Sequence, residues 1–192
     1  MTGYLKALAV CAVGLVLGLF ISRYVLARTS PFDRVALGAW RLEAHAGSMQ
    51  ADPFTRARIA RTGEVPLAVG EGLRWVARTD DAGRQLDGRC TYAIGPEAPQ
   101  ARYWTLSVMD VNGFPIANPA ERYGFRSSEI LRKGDGDFTI MVSAAPQPDN
   151  WLPVDTAGRF ALALRLYDAP LAATPAAIDP ISVPRVTRIR CG

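Results

Sequence analysis

The chain has 192 residues, of which 49% are hydrophobic, so it is long enough to bury a core of its own. Its formal net charge is +4, but Lys6, Arg23 and Arg28 supply three of these charges within residues 1–30, where there is no acid. The rest of the chain is therefore close to neutral. A nearly neutral domain lacks the basic surface of nucleic-acid-binding proteins, so we expect no nucleic-acid partner.

The N-terminus carries a long apolar segment. Residues 7–21 are all apolar or Gly, and residues 24–27 extend the run to the length of a bilayer core if Lys6 and Arg23 reach toward the headgroups. We predict a membrane anchor over residues 1–30, with a single transmembrane helix from about residue 5 to residue 26. A cleaved signal peptide is the alternative, although residues 21–30 offer no small-x-small cleavage site.

The anchor has two expected partners. The first is membrane lipid. The second is another copy of the chain, because Gly14 and Gly18 form a Gly-x-x-x-Gly step that lets two helices pack closely. The few flanking charges do not decide the orientation of the helix by the positive-inside rule.

One short helix and a series of strands are predicted after the anchor. Residues 38–44 alternate apolar and charged positions, which is typical of a half-buried strand. Residues 52–63 predict a helix, because Asp52 can cap it, Pro53 fits its first position and Gly63 fits the position just past its end.

The remaining pattern is one of short strands separated by Gly, Pro and Asn-Gly turns. The expected strands lie at residues 73–78, 90–94, 104–108, 138–142, 160–166 and 186–191, and a Pro- and Ala-rich stretch at 169–184 precedes the last one. This regular spacing predicts an all-β fold. We expect a jelly-roll-like β-sandwich with one short helix over residues 31–192.

The cysteines suggest one cross-link. Cys11 lies in the apolar segment, so Cys90 and Cys191 are the only thiols expected in the folded domain. They are a candidate disulfide if the domain faces an oxidising compartment. Two unrelated buried thiols are the alternative.

Few residues suggest catalysis. A single histidine, His45, and two cysteines outside the membrane cannot form a typical zinc site, so we expect no metal and no other cofactor. Carboxylate chemistry remains, with Glu71, Asp110 and Asp137 near the predicted strands and Trp75, Trp104 and Trp151 as aromatic neighbours. Each acid also fits an ordinary turn, and each tryptophan fits a core.

Several phrases of the sequence resemble a known family. They are the residues 52–63, Leu-Asp-Gly-Arg-Cys-Thr-Tyr at 86–92, Ala-Arg-Tyr-Trp-Thr-Leu at 101–106, Asn-Trp-Leu-Pro at 150–153 and Leu-Arg-Leu-Tyr-Asp at 164–168. Over residues 35–191 the chain resembles the bacterial domain-of-unknown-function family 1214, in its short membrane-anchored form. The resemblance implies a β-sandwich of the jelly-roll kind. It also implies that longer relatives carry a second domain, of family 1254, before this one. It assigns no catalytic residue.

The motif residues allow two interpretations. In the structural one, Pro153 ends an edge strand, Trp151 closes an end of the sandwich and Arg165 pairs with a carboxylate on a neighbouring strand. In the functional one, Asn150, Trp151 and Arg165 line a ligand cleft. The full set of candidate ligand-binding residues is Asn150, Trp151, Arg165, Trp104, Glu71 and Asp110.

Two classes of function follow from these observations. One is a non-catalytic binding or structural module of the cell envelope, with a glycan or protein partner. The other is a carboxylate-based hydrolase that acts on an envelope glycan or its amide linkage. A sandwich fold hosts both classes, so the fold does not choose between them. We expect the chain in the bacterial inner membrane, with its domain in the periplasm.

Overall fold

A computed structural model describes residues 2–27, 34–43, 45–68, 70–97, 99, 101–156, 158–169 and 183–192. Three predicted features lie outside the described residues. They are the boundary between residues 30 and 31, the end of the first predicted strand at Ala44, and most of the Pro- and Ala-rich stretch.

The chain begins with a long apolar helix. Helix α1 spans Thr2–Ala27, and the segment Gly3–Val25 is long and apolar enough to cross a membrane. A membrane anchor and a signal sequence share these properties. No described atom outside the helix approaches Gly14 or Gly18, so the homodimer through these glycines stays a prediction.

The described domain contains one further helix and ten strands. Helix α2 spans Pro53–Thr62. The strands are β1 Arg34–Leu37, β2 Trp40–Glu43, β3 Gly72–Ala77, β4 Cys90–Gly95, β5 Tyr103–Asp110, β6 Gly124–Arg126, β7 Ile140–Ser143, β8 Asn150–Pro153, β9 Phe160–Tyr167 and β10 Arg185–Cys191.

These strands form two sheets. The first has six strands in the order β1-β2-β3-β9-β5-β6, and the second has four in the order β10-β4-β7-β8. All neighbouring strands are antiparallel except β7 and β8, which run parallel. The prediction of a mostly β fold with two sheets and few helices is confirmed. The jelly-roll subtype stays a prediction.

The core lies between the two sheets because apolar side chains alternate along their strands. Trp104 of β5 stacks on Phe138, which precedes β7, with 5.2 Å between ring centroids. Tyr92 of β4 meets Phe160 of β9 edge to face at 5.6 Å. Each aromatic pair joins one sheet to the other, which is the arrangement of a sandwich.

Helix α2 follows the predicted capping pattern. The Asp52 carboxylate accepts hydrogen bonds from the N–H groups of Phe54 and Thr55, and Pro53 occupies the first helical position. Gly63 adopts a left-handed conformation with φ of 67° and donates its N–H to the Ile59 carbonyl. The predicted helix is confirmed.

Some predicted strands needed correction. The first one begins at Trp40 rather than at residue 38, because Gly38 has a φ of 53° and forms a tight turn with Ala39 between β1 and β2. Strands β1 and β6 were not predicted, since four and three residues are too short to show a clear alternation. Strand β8 lies at the edge of its sheet and ends at Pro153, as the structural interpretation of the motif expects. Phe138 is buried as expected but precedes β7.

The two cysteines of the domain are joined. Cys90 of β4 and Cys191 of β10 are directly opposite each other in an antiparallel pair, with 3.9 Å between their Cα atoms, and they form a disulfide. The predicted proximity is confirmed. The bond closes a segment of 101 residues and fixes the last strand to the four-stranded sheet.

Candidate functional site

The six candidate ligand-binding residues do not form one site. Glu71 directly precedes β3 at one end of the six-stranded sheet, where Gly72 is opposite Tyr167. Asp110 lies opposite Phe160 at the other end of the same β9 strand. At about 3.3 Å per residue, these two ends are roughly 23 Å apart. Glu71 and Asp110 therefore cannot act on the same bond.

Asn150 and Trp151 lie on β8, at the edge of the other sheet. The buried Asn150 amide donates to the carbonyls of Leu131 at 2.8 Å and Thr139 at 3.1 Å, and its oxygen accepts from the Leu131 N–H at 2.8 Å. The half-buried Trp151 indole donates to the Ser143 carbonyl at 3.0 Å. Every hydrogen-bonding atom described on these two side chains serves the main chain of the domain.

Trp104 and Arg165 are on opposite faces of the six-stranded sheet. Trp104 is buried in the core. Arg165 points outward between Leu164 and Leu166, and its neighbours across the sheet are Arg74 and Thr105. The predicted ion pair with a carboxylate on a neighbouring strand is wrong, because both adjacent positions are occupied by other residue types. The structure does not bring Asn150, Trp151 and Arg165 together, because Arg165 lies on the outward face of the six-stranded sheet, whereas Asn150 and Trp151 are on β8 of the other sheet and bond to main-chain groups there.

Asp110 has the geometry of a turn residue. Its carboxylate accepts the N–H groups of Asn112 at 2.8 Å and Phe114 at 2.9 Å. Partial burial by itself would raise the pKa of Asp110, but the N–H donors of Phe114 and Asn112 hold it below the ordinary value. Asp110 is therefore ionised at neutral pH, which is the wrong state for a general acid. Asp137 is exposed in the turn before β7.

Two adjacent acids in the turn after β3, Asp80 and Asp81, are central to the structure. The buried Asp80 carboxylate accepts the N–H groups of Ala82 and Arg84 and pairs with the Arg84 and Arg188 guanidinium groups at 2.8 and 3.3 Å. Arg188 belongs to β10 and lies over the Tyr92 ring. Asp80 thus connects a turn that follows β3 to a strand of the opposite sheet.

Asp81 makes a second connection between the sheets. Its two carboxylate oxygens accept the N–H groups of Ala39 at 3.0 Å and Val186 at 2.8 Å. Ala39 lies in the turn between β1 and β2, and Val186 lies on β10. The sequence predicts a turn at Asp81, but it holds no signal for partners that lie 42 and 105 residues away.

Asp81 also borders an open cleft of about 390 Å³. Trp40 is buried beside it and donates its indole N–H to the Pro184 carbonyl at 2.6 Å. The cleft contains two further charged side chains, Glu97 and Arg185. Both Asp81 oxygens are bonded to main-chain N–H groups, so Glu97 is the carboxylate that the cleft presents to a ligand. A single carboxylate does not supply both the acid and the base of a hydrolase.

The motif at residues 86–92 also has a structural role. The Asp87 carboxylate accepts hydrogen bonds from the Arg89 guanidinium, at 2.8 Å, and from the Arg89 main-chain N–H. These two bonds hold the pKa of Asp87 well below its usual range. The Asp87 N–H donates to the Tyr92 hydroxyl. A Cβ at Gly88 would lie 1.7 Å from the Asp155 carbonyl oxygen, so only glycine fits there.

Among the described residues, no three His, Cys, Asp or Glu side chains are close enough together to hold a metal ion. His45 is half-buried in the turn after β2, and its main-chain carbonyl accepts both the N–H and the hydroxyl of Ser48. We still predict that the domain binds no metal and that His45 is not catalytic.

Comparison with known proteins supports the fold. A crystal structure of the VPA0106 protein from Vibrio parahaemolyticus is similar with a TM-score of 0.59 and 19% identity; the match covers 96% of this chain and 46% of that one. The chain thus spans about half the length of this relative. An uncharacterised protein from Burkholderia cenocepacia matches with a TM-score of 0.47 and 16% identity, over 89% of this chain and 40% of that one. At 19% identity, the likeness to the Vibrio parahaemolyticus protein concerns the fold alone.

The comparison with curated proteins gives no match. Residues 71–171 match the family described as "Protein of unknown function (DUF1214)". This segment is more than half of the 192-residue chain and contains strands β3 to β9. The chain belongs to the DUF1214 family.

Proposed function

We propose that this protein is a non-catalytic binding module of the bacterial cell envelope, anchored in the inner membrane by α1 with its β-sandwich in the periplasm. The observation that carries the proposal is the disulfide between Cys90 and Cys191. Disulfides persist in oxidising compartments and are rare in the cytosol. An apolar N-terminal helix followed by a disulfide-bonded domain fits a protein that is held at the outer side of the inner membrane.

The non-catalytic role is supported by the use of the carboxylates. Asp81 and Asp110 accept main-chain N–H groups, and Asp80 is buried with two arginines. The pKa values of Asp87 and Asp110 are both held below their ordinary values, by Arg89 and by main-chain N–H groups respectively. A hydrolase of the glycosidase type needs one carboxyl group with a raised pKa near a second one. The described residues favour binding over this alternative.

Reporter fusions test the location. Alkaline phosphatase fused after Gly192 is expected to be active, because this enzyme folds only in an oxidising compartment. Green fluorescent protein at the same position is expected to be dark, because it becomes fluorescent only in the cytoplasm. A matched pair of fusions after Ala27, directly at the end of α1, separates the effect of the helix from that of the domain. A fluorescent and phosphatase-negative pair at Gly192 would contradict the proposal.

A further inference from the structure

Four outward-facing side chains form a straight row across the six-stranded sheet. The strand register places Arg74 of β3, Arg165 of β9, Thr105 of β5 and Arg126 of β6 opposite one another. Strands lie about 4.8 Å apart, so the row is roughly 14 Å long. We call these four residues the arginine row.

Two members of the arginine row, Arg74 and Arg126, are paired with carboxylates. Glu64 bridges Arg74 at 2.5 Å and Arg58 of α2 at 2.9 Å. Glu129 pairs with Arg126 at 3.3 Å, where both side chains are well exposed. Arg165 is half-buried and makes no hydrogen bond or ion pair to any described residue.

The position of Arg165 makes this lack of a partner informative. Its direct neighbour across the strands is Arg74, and like charges that face each other in a sheet are destabilising. A partly desolvated guanidinium also gains more from an anion than an exposed one does. Arg165 is thus a half-buried guanidinium, on the side of the sheet away from the core, whose charge no described carboxylate neutralises.

A pair of aromatic side chains lies beside the arginine row. Tyr103 and Tyr167 are opposite each other on β5 and β9, two residues along the same face from Thr105 and Arg165. Their ring centroids are 5.8 Å apart and the rings are tilted by 45°. The distance to the arginine row is about 7 Å along the strands. Half-buried tyrosines offer an apolar ring with a polar hydroxyl, and sugar rings stack on such surfaces through their C–H groups.

We propose that the arginine row and the tyrosine pair bind a saccharide that bears a carboxylate. The carboxylate binds Arg165 through the two parallel hydrogen bonds that a guanidinium offers, with the Thr105 hydroxyl beside it. The sugar ring lies against Tyr103 and Tyr167. This inference rests on the proposed binding function and names its ligand class. It requires a single carboxylate, which agrees with the nearly neutral domain and its lack of an extended basic surface.

Isothermal titration of the full chain in non-ionic detergent micelles tests the proposal, with trigalacturonic acid as the probe and galactotriose as the neutral control. The wild-type chain is expected to bind trigalacturonic acid but not galactotriose. Arg165→Gln is expected to raise the Kd about tenfold, the equivalent of one charge-assisted pair. Arg190→Gln removes the same charge from an exposed site on β10 of the other sheet and is expected to change the Kd less than about twofold.

Thermal unfolding separates a binding role of Arg165 from a structural one. Because Arg165 is opposite another arginine and makes no described ion pair that Arg165→Gln would lose, the midpoint of the variant is expected to equal or exceed that of the wild type. A midpoint lowered by more than about 5 °C would make Arg165 a structural residue and overturn the proposal.

Three binding results would also overturn it. They are no affinity of the wild type for trigalacturonic acid, equal affinity for galactotriose, and equal losses in the Arg165 and Arg190 variants. Displacement of the probe by equimolar inorganic phosphate would assign the site to phosphate instead of a sugar carboxylate. Each of these results leaves the reporter-fusion test untouched, so the ligand assignment fails separately from the proposed envelope location.

Discussion

Replacement of Asp80 by Ala is expected to lower the free energy of unfolding by about 3 kcal/mol or more, because it leaves a buried charge without its partner. The Asp80 side chain is 1% exposed, and its β10 partner Arg188 is 17% exposed. Its carboxylate also accepts the N–H groups of Ala82 and Arg84, and the variant loses both of these bonds. Urea unfolding of the full chain in detergent micelles, followed by tryptophan fluorescence, measures the effect.

Asp135→Ala is the matched control for this variant. Asp135 is also a turn aspartate that accepts a main-chain N–H, from Asp137 at 3.0 Å, but it is exposed to water. Water can replace its carboxylate, so the expected loss is about 1 kcal/mol or less. Similar losses in the two variants would contradict the role of Asp80 as a link between the sheets.

Replacement of Asn150 by Ala is expected to lower the free energy of unfolding by about 3 kcal/mol. The Asn150 side chain is the partner of three main-chain groups, the N–H and carbonyl of Leu131 and the carbonyl of Thr139. Asn150 is 3% exposed, so water cannot replace the lost amide. Asn150→Asp is expected to be at least as destabilising, because it replaces an amide donor with a carboxylate oxygen that faces two carbonyls.

Asn118 provides a control with nearly the same bonding. Its amide donates to the carbonyls of Ile116 and Arg122 and accepts the Arg122 N–H, all at 3.0–3.1 Å, but it lies in an open surface loop. Asn118→Ala is therefore expected to lose only about 1 kcal/mol in the same urea assay. An Asn150→Ala variant that is as stable as the wild type would contradict the structural role and would restore Asn150 as a candidate for ligand binding.

Local patterns predicted much of the secondary structure because they depend on neighbouring residues alone. The alternation at residues 160–166 corresponds to β9, and the capping residues Asp52 and Gly63 delimit α2. The cysteine pair was a prediction from counting, since Cys11 is in the apolar helix and leaves two thiols. Strands of three or four residues such as β6 have no local signature, and tertiary contacts define them.

The candidate site was harder to predict because it depends on which strands are neighbours. Glu71, Asp110 and Arg165 are candidates because of their side-chain chemistry. The chemistry of a side chain does not show in which sheet, on which face or at which end of a strand the residue lies. The arginine row exists only because β3, β9, β5 and β6 are adjacent in that order, although they are distant in the sequence. Asp81 likewise meets Val186 through a connection of 105 residues.

The redox state of Cys90 and Cys191 in cells is the most direct test of a disulfide-bonded domain outside the cytoplasm. A Cys11→Ser variant leaves only these two thiols. Thiols are trapped by acid in intact cells, and the denatured chain is labelled with maleimide polyethylene glycol. We expect no label before reduction and two labels after dithiothreitol, whereas a Cys11→Ser, Cys191→Ser control carries one label without reduction. Two labels before any reductant is added would contradict a domain that folds in the periplasm.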